Sequence, residues 1–428
     1  MIRIIDQTES GDLLARLEAR SVAFDPDLMK AVGSIIDDVR RRGDEALIEY
    51  TARFDGVELT PEQLRVDEQT LHRSAERVDK TVLAALREAI SNVRIFHENQ
   101  VERSWEISPS DGVRLGQTIR ALDSAGLYVP GGTAAYPSSV VMNVVPAQVA
   151  GVERIVVVTP PRTVAESPAV AAALRELNVT EVYAVGGAQA IAALAFGTET
   201  IPRVDKITGP GNKYVAAAKK LVFGVAGIDA IAGPSEVVII ADDSARADFV
   251  AADLLAQAEH GEDASAILIT TSEPLARAVA EEVQRQTESL PRRAIVAASL
   301  RDYGAVVITK TIDDACEIAN SIAPEHLQLV TRDDEAAATK IRHAGAIFFG
   351  GHTPEAVGDY LAGPNHVLPT GRTARFSSAL GVYDFVKRTS LLRYSADAFG
   401  KAADSIAALA ECEGLAGHAR SALIRNRR

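Results

Sequence analysis

The stretch RIVVVTPPRTVAESPAVAAALRELNVTEVYAV, residues 154–185, decides how this chain is read. Arg154–Val158 and Val182–Val185 are β-branched apolar runs, and Val164–Leu177 between them is rich in alanine and leucine. β-Branched side chains suit a pleated strand and alanine and leucine suit a helix, so the segment reads strand–helix–strand. The same texture extends outward. Strand-like runs recur at Val237–Ile240, Ile267–Thr270, Val306–Thr309, Leu327–Thr331 and Ala346–Phe349, with helices such as Ala188–Phe196 and Ala245–Glu259 between them. Such alternation predicts an α/β fold whose parallel sheets are covered by helices on both faces. Residues 1–110 are instead charged and helix-like, as in Asp27–Tyr50 and Lys80–Val101. From Phe385 the chain again reads as helix, ending in the basic RNRR.

Glycine and proline punctuate the strand ends at YVPGG (128–132), VGGAQ (185–189), TGPGNKY (208–214), AGPSE (232–236) and GGHTP (350–354). In open α/β sheets ligands collect outside the carboxyl ends of strands, where loops and helix N-termini converge, so a binding site is expected there. No GxGxxG follows a first strand and no GxxxxGK[ST] occurs, so a dinucleotide would need a variant loop.

The 428 residues carry a formal charge of −13, with 47% hydrophobic and 24% charged residues. That balance belongs to a globular protein of two or three domains, and the acidic surface disfavours nucleic acid and anionic lipid as partners. The most apolar stretch, Val140–Val158, is interrupted by Asn143, Pro146, Gln148 and Glu153, which argues against a membrane span. Two distant cysteines, Cys316 and Cys412, and an N-terminus without a basic-then-apolar leader give a cytoplasmic expectation.

Among the eight histidines, His72 and His97 sit in charged helical sequence and read as surface residues, while His343 and His352 read as structural. His260 ends the run LLAQAEHG (254–261), and Gln257 lies three residues earlier on the same helix face. An amide oxygen and an imidazole so placed can meet one cation, or the histidine can simply satisfy the helix C-terminus. Asp359 and His418 are further nitrogen and oxygen donors of the kind a first-row ion accepts. Glu325 and His326 precede a strand and offer two bases, or a surface pair. Ser235 and His366 lie in turn-like sequence, and Tyr128 could stack a ring or fill core.

Read together, GLYVPGG (126–132), AVGGAQAIAALAFGT (184–198), TGPGNKYVAAAK (208–219), DAIAGPSEVVIIAD (229–242), LLAQAEHG (254–261), PEHL (324–327), VGDYLAGPNHVLPT (357–370) and ECEGLAGH (411–418) resemble histidinol dehydrogenase in content and order. The resemblance implies two incomplete Rossmann-like domains, one inserted in the other, with N- and C-terminal helical extensions. Its boundaries would be 1–25 for the N-terminal extension, 26–125 with 236–380 for the first domain, 126–235 for the second and 381–428 for the C-terminal tail. It also implies one Zn2+ per subunit on Gln257, His260, Asp359 and His418, and catalytic bases Glu325 and His326. Substrate contacts would come from Ser235, His366 and Glu413 together with Gln257, His260, His326, Asp359 and His418. Tyr128, Gln189 and Asn212 would contact NAD. The implied assembly is an intertwined homodimer whose C-terminal tail completes the partner's site. The implied reaction is the last step of histidine biosynthesis, in which L-histidinol, two NAD+ and water give L-histidine and two NADH. The alternatives are a related zinc/NAD dehydrogenase of another polar alcohol such as a sulfonated diol, a zinc hydrolase, or a non-catalytic binding protein.

Overall fold

The computed structural model describes residues 2–21, 25–131 and 136–425, so the last glycine of YVPGG and the chain end after Arg425 lie outside the described residues. Two compact units result: 1–100 with 123–385, and 101–122 with 386–428.

The first unit contains two parallel sheets. One has six strands in the spatial order Arg3–Asp6, Ala305–Ile308, Ser265–Thr270, Glu236–Ala241, His326–Val330, Ala346–Phe349. Its inner strands are apolar at nearly every position because both faces are covered. Val237, Ile239, Leu268 and Val306 pack on one face with Leu254, Val279 and Leu300. Their neighbours Val238, Ile240, Ile267, Ile269 and Val307 pack on the other with Leu13, Leu17 and Cys316. The second sheet has five strands in the order Glu181–Ala184, Arg154–Thr159, Ser124–Tyr128, Lys206–Thr208, Gly227–Ile228. The α/β reading with parallel sheets therefore holds.

Several elements differ from the sequence expectation. The N-terminal 25 residues include the edge strand Arg3–Asp6, which is only four residues long and too short for a periodicity signal. The expected helix over Asp27–Tyr50 is two helices, Pro26–Arg42 and Asp44–Asp55, because Gly43 turns the chain at φ +56°. Likewise, Ser167 stops the expected helix Val164–Leu177 and caps a new one at Pro168 by accepting from the Val170 N–H. Ser124–Tyr128, at the centre of the second sheet, is SAGLY and carries no β-branched residue to mark it. Val32, Ile35, Leu47 and Leu64 pack with Ile191 and Leu194 of the second sheet's layer, as Leu71, Leu86 and Val93 do with Val144 and Leu174.

The second unit is an antiparallel sheet, Val386–Tyr394, Val113–Ala121 and Trp105–Ser110 in that order, followed by helices Ala396–Cys412 and Ala416–Arg425. The expected all-helical tail thus begins with a nine-residue strand. Its sequence VKRTSLLRY alternates weakly, and its pairing with Val113–Ala121 is a contact across more than 260 residues that local pattern does not reveal.

Candidate active site

A cavity of about 850 Å³ lies in the first unit, lined on one side by Tyr128 and Gly209–Lys213 and on the other by Ser235, His260, Glu325, His326, Asp359 and His366. The expectation of a site at carboxyl ends holds for the second sheet alone. Tyr128 ends a strand there, and Gly209–Asn212 follows Lys206–Thr208. In the first sheet Ser235 and Glu325 immediately precede strands that start at Glu236 and His326, so its contribution comes from amino ends. The reason is the helix Ala247–Ala258, which follows the strand Glu236–Ala241, carries Gln257 in its last turn and is followed two residues later by His260. A helix crossing back over a parallel sheet ends beside the strands' amino ends.

Glu325 and His326 are both buried. The Glu236 N–H donates to Glu325 Oε2 at 3.0 Å. His326 Nδ1 lies 3.2 Å from the Glu236 carbonyl, an acceptor only, so Nδ1 carries the proton and donates. Nε2 is then the basic atom, and it has no hydrogen-bond partner among the described residues. Burial pushes the Glu325 carboxyl up to about 8, with Glu355 and Glu236 adding and His326 opposing. Burial works against a charged His326, but the carboxylates of Glu355, Glu325 and Asp359 outweigh it and draw the imidazole up to about 10. Both groups therefore become free to accept protons on the alkaline side of neutrality, and the acids around His326 govern its basicity.

Those acids form a cation-ready cluster. Ligand atoms of His260, Glu355 and Asp359 lie within 4.8 Å of one another. Glu355 and Asp359 are four residues apart on the short helix Glu355–Tyr360 and so share a face. Gln257, fully buried, faces the Glu355 carboxylate with its amide, whose nitrogen, when turned that way, would donate to Oε2 at 3.0 Å and to Oε1 at 3.1 Å. Asp359 Oδ1 is 3.8 Å from His326 Nε2, and despite burial that neighbour keeps its carboxyl below the usual range. His366 is driven down by burial, and its Nε2 also lacks a partner among the described residues. Converging carboxylates, an imidazole and an amide suit zinc or a similar ion. Glu355 escaped the sequence reading. Its signal is the four-residue spacing to Asp359 in PEAVGDY.

On the opposite wall the Tyr128 hydroxyl accepts from the Gly187 N–H at 3.1 Å. Gln189 nearby is 1% exposed and neither atom of its amide has a partner among the described residues. A buried amide left in that state is one a ligand can satisfy. It does not line the main cavity, whereas Asn212 does, capping the helix Lys213–Val222 through the N–H groups of Tyr214 and Val215. Gly209, at φ +111°, admits no side chain because a Cβ would strike the Tyr128 carbonyl. Its peptide is gripped from both ends: Asp229 Oδ2 accepts its N–H at 2.8 Å, and Lys219 Nζ donates to its carbonyl at 3.0 Å. Lys219 and Asp229 are themselves a buried ion pair.

Glu413 and His418 belong to the second unit, one capping the helix Ala396–Cys412 and the other on the helix Ala416–Arg425, and both are exposed. His72 is exposed as expected, but His97 is fully buried, its Nδ1 2.7 Å from the Val93 carbonyl. It lies on the inward stripe of the helix Lys80–Glu98, beside Asn365 (Nδ2–Nε2 3.5 Å), and so backs the turn that presents His366.

The model of the histidinol dehydrogenase family matches residues 18–426. The chain belongs to the histidinol dehydrogenase family. It is 56% identical over 397 residues to histidinol dehydrogenase of Geobacillus kaustophilus, covering 92% of this chain and 93% of that one. With histidinol dehydrogenase of Thermosynechococcus vestitus it shares 51% identity over 424 residues, 99% of this chain and 96% of the other. The crystal structure of histidinol dehydrogenase from Elizabethkingia anophelis superposes with a TM-score of 0.92 at 36% identity, covering 99% and 98% of the two chains. Histidinol dehydrogenases are NAD-linked oxidoreductases that catalyse the final step of histidine biosynthesis, and an oxidation of another polar alcohol is not favoured here.

Proposed function

We propose that the cavity between the two parallel sheets carries out both oxidations of L-histidinol, with L-histidinaldehyde held between them. The observation that carries this reading is the pairing of a buried His326 Nε2, without a hydrogen-bond partner among the described residues, with a neighbouring buried carboxyl at Glu325, both facing one cavity. His326 Nε2 takes the hydroxyl proton as the carbinol hydride departs, leaving the aldehyde. Glu325 then takes a proton from the water that adds to the aldehyde carbon; the resulting hydrate anion gives up a second hydride to leave the carboxylic acid, whose proton passes to water as the carboxylate forms. Tyr128, Gln189 and Asn212 are assigned to hold NAD+, which would supply the hydride acceptor. Gln257, His260 and Asp359 would hold one Zn2+, with Glu355 beside them, and the ion would supply a Lewis-acid anchor for the substrate's nitrogens. Ser235 and His366, both in the cavity lining, are assigned to contact the substrate.

Glu413 and His418 are assigned to the site of a second copy, in a homodimer with shared sites. The support is apolar surface on the second unit, where Trp105 is 51% exposed, Leu392 73%, Leu409 69% and Ile424 53%. A monomer leaves such side chains in water at a cost that a partner removes. Cys316 and Cys412 are both free, which supports a reducing, cytoplasmic setting. Among the described residues no helix is long and apolar enough to cross a membrane.

The decisive experiment counts NADH formed per L-histidinol consumed by zinc-loaded protein. Two NADH, with L-histidine as product, is the expected result. One NADH would end the role of Glu325, and none would end the assignment of substrate.

A further inference from the structure

The two bases are held through a single residue. Glu236 begins the strand Glu236–Ala241, and its peptide serves both: the N–H binds Glu325 Oε2 at 3.0 Å and the carbonyl binds His326 Nδ1 at 3.2 Å. The carboxylate of Glu236 meets Arg20, with Nη2 2.8 Å from Oε1 and the two side chains only 5% and 2% exposed. Arg20 comes from the helix Ser10–Ser21, far away in sequence, which is anchored by Leu13 and Leu17 in the core beneath the first sheet. Its guanidinium also donates to the Asp263 carbonyl and to Ser265 Oγ at 3.4 Å, and stacks 4.9 Å from the Tyr303 ring. Arg20 lines the cavity as well.

We propose that Arg20 and Glu236 are the positioning pair for both bases, fixing the peptide that orients the Glu325 carboxyl and sets the His326 tautomer. The proposal rests on Glu325 and His326 being the bases. A buried ion pair contributes little net stability compared with well-packed apolar side chains, because desolvation offsets the attraction. What this pair adds is direction. The planar fork of arginine meets the carboxylate, a carbonyl and a hydroxyl at once, so the Glu236 backbone has one place to lie. Misplacing a base by an ångström costs about 100-fold in rate. One pin acting on two bases has a signature that neither base alone would give, since both half-reactions must slow together.

The test uses full-length, zinc-loaded enzyme and follows alcohol oxidation from L-histidinol and aldehyde oxidation from L-histidinaldehyde separately. Arg20→Met is expected to lower kcat by roughly 10- to 100-fold in both half-reactions, with KM for either substrate within about threefold. Arg20→Lys should recover part of the loss, and exchange of the Glu236 amide hydrogen should quicken in Arg20→Met. His326→Asn and Glu325→Gln, run beside it, should each weigh on one half-reaction. Wild-type kcat in Arg20→Met, or a loss confined to KM or to one half-reaction, overturns the proposal while the roles of the bases stand. Full activity in both base variants overturns those roles and the proposal with them. If Arg20→Met does not fold, Glu236→Gln keeps the peptide and the shape. A matched fall in both half-reactions is then expected, and wild-type kcat overturns the proposal.

Discussion

The parallel sheets of the first unit and the antiparallel sheet of the second solve burial in opposite ways. In the six-stranded sheet, Glu236–Ala241 and Ser265–Thr270 are buried at every residue. In the three-stranded sheet, Trp105–Ser110 is exposed at every residue, and so is all of Val386–Tyr394 except its first. The first arrangement closes its own core, because crossover helices cover both faces. Among the described residues the second has two helices after its last strand, and it keeps Leu391, Leu392 and Tyr394 in water. The chemistry-bearing cluster sits in the self-sufficient unit, where rigid elements can hold charges out of water. The part assigned to a neighbour's site sits in the unit whose surface calls for a partner.

The sharpest way to break this contrast is at the chemistry. His326→Asn should lower kcat for alcohol oxidation by about 100-fold or more while the dissociation constant for L-histidinol stays near that of the parent. A weakened binding constant with unchanged rate, read by single-turnover kinetics, would remove the base from His326. The next test divides the two units between subunits. His326→Asn and His418→Ala homodimers should each be nearly inactive. Random reassembly of an equal mixture should restore roughly a quarter of parent activity, since half the dimers would carry one intact site. No recovery after verified subunit exchange would place each tail in its own subunit's site or in none.

Stability variants sharpen the comparison further. Ile267→Ala, in the closed core, should cost about 2–5 kcal/mol in denaturant unfolding. Leu392→Ala should leave the unfolding of the first unit unchanged and show itself in the concentration dependence of dimer dissociation. Equal costs for the two would mean that the second unit is packed as tightly as the first. The smallest effect concerns Asp253, which burial raises to about 6. An acid raised above its unfolded value of 3.8 favours the protonated folded form, so the stability it contributes is present below pH 4 and is lost as pH rises toward 6. Asp253→Asn should flatten that part of the melting-temperature profile and raise the melting point by a few degrees at about pH 8. An unchanged profile would show that Asp253 is solvated.

Much of this was open to reading along the chain. β-Branched runs are buried on both faces and must alternate with helices, so local composition determined the parallel sheets. Long strings such as TGPGNKYVAAAK and LLAQAEHG named Asn212, Gln257 and His260, since few folds need those residues in that order. Short elements escaped because Arg3–Asp6 and SAGLY carry too few residues for a period to show. The strand Val386–Tyr394 escaped because its stability comes from a partner more than 260 residues away. The tertiary structure alone decided that the Glu355–Asp359 pair meets His260, that Arg20 reaches Glu236, and that one wall of the cavity is built from amino ends of strands. Each is a meeting of residues distant in sequence, fixed by packing and by the need of buried charges for partners, and neither requirement is written in the local spacing of the chain.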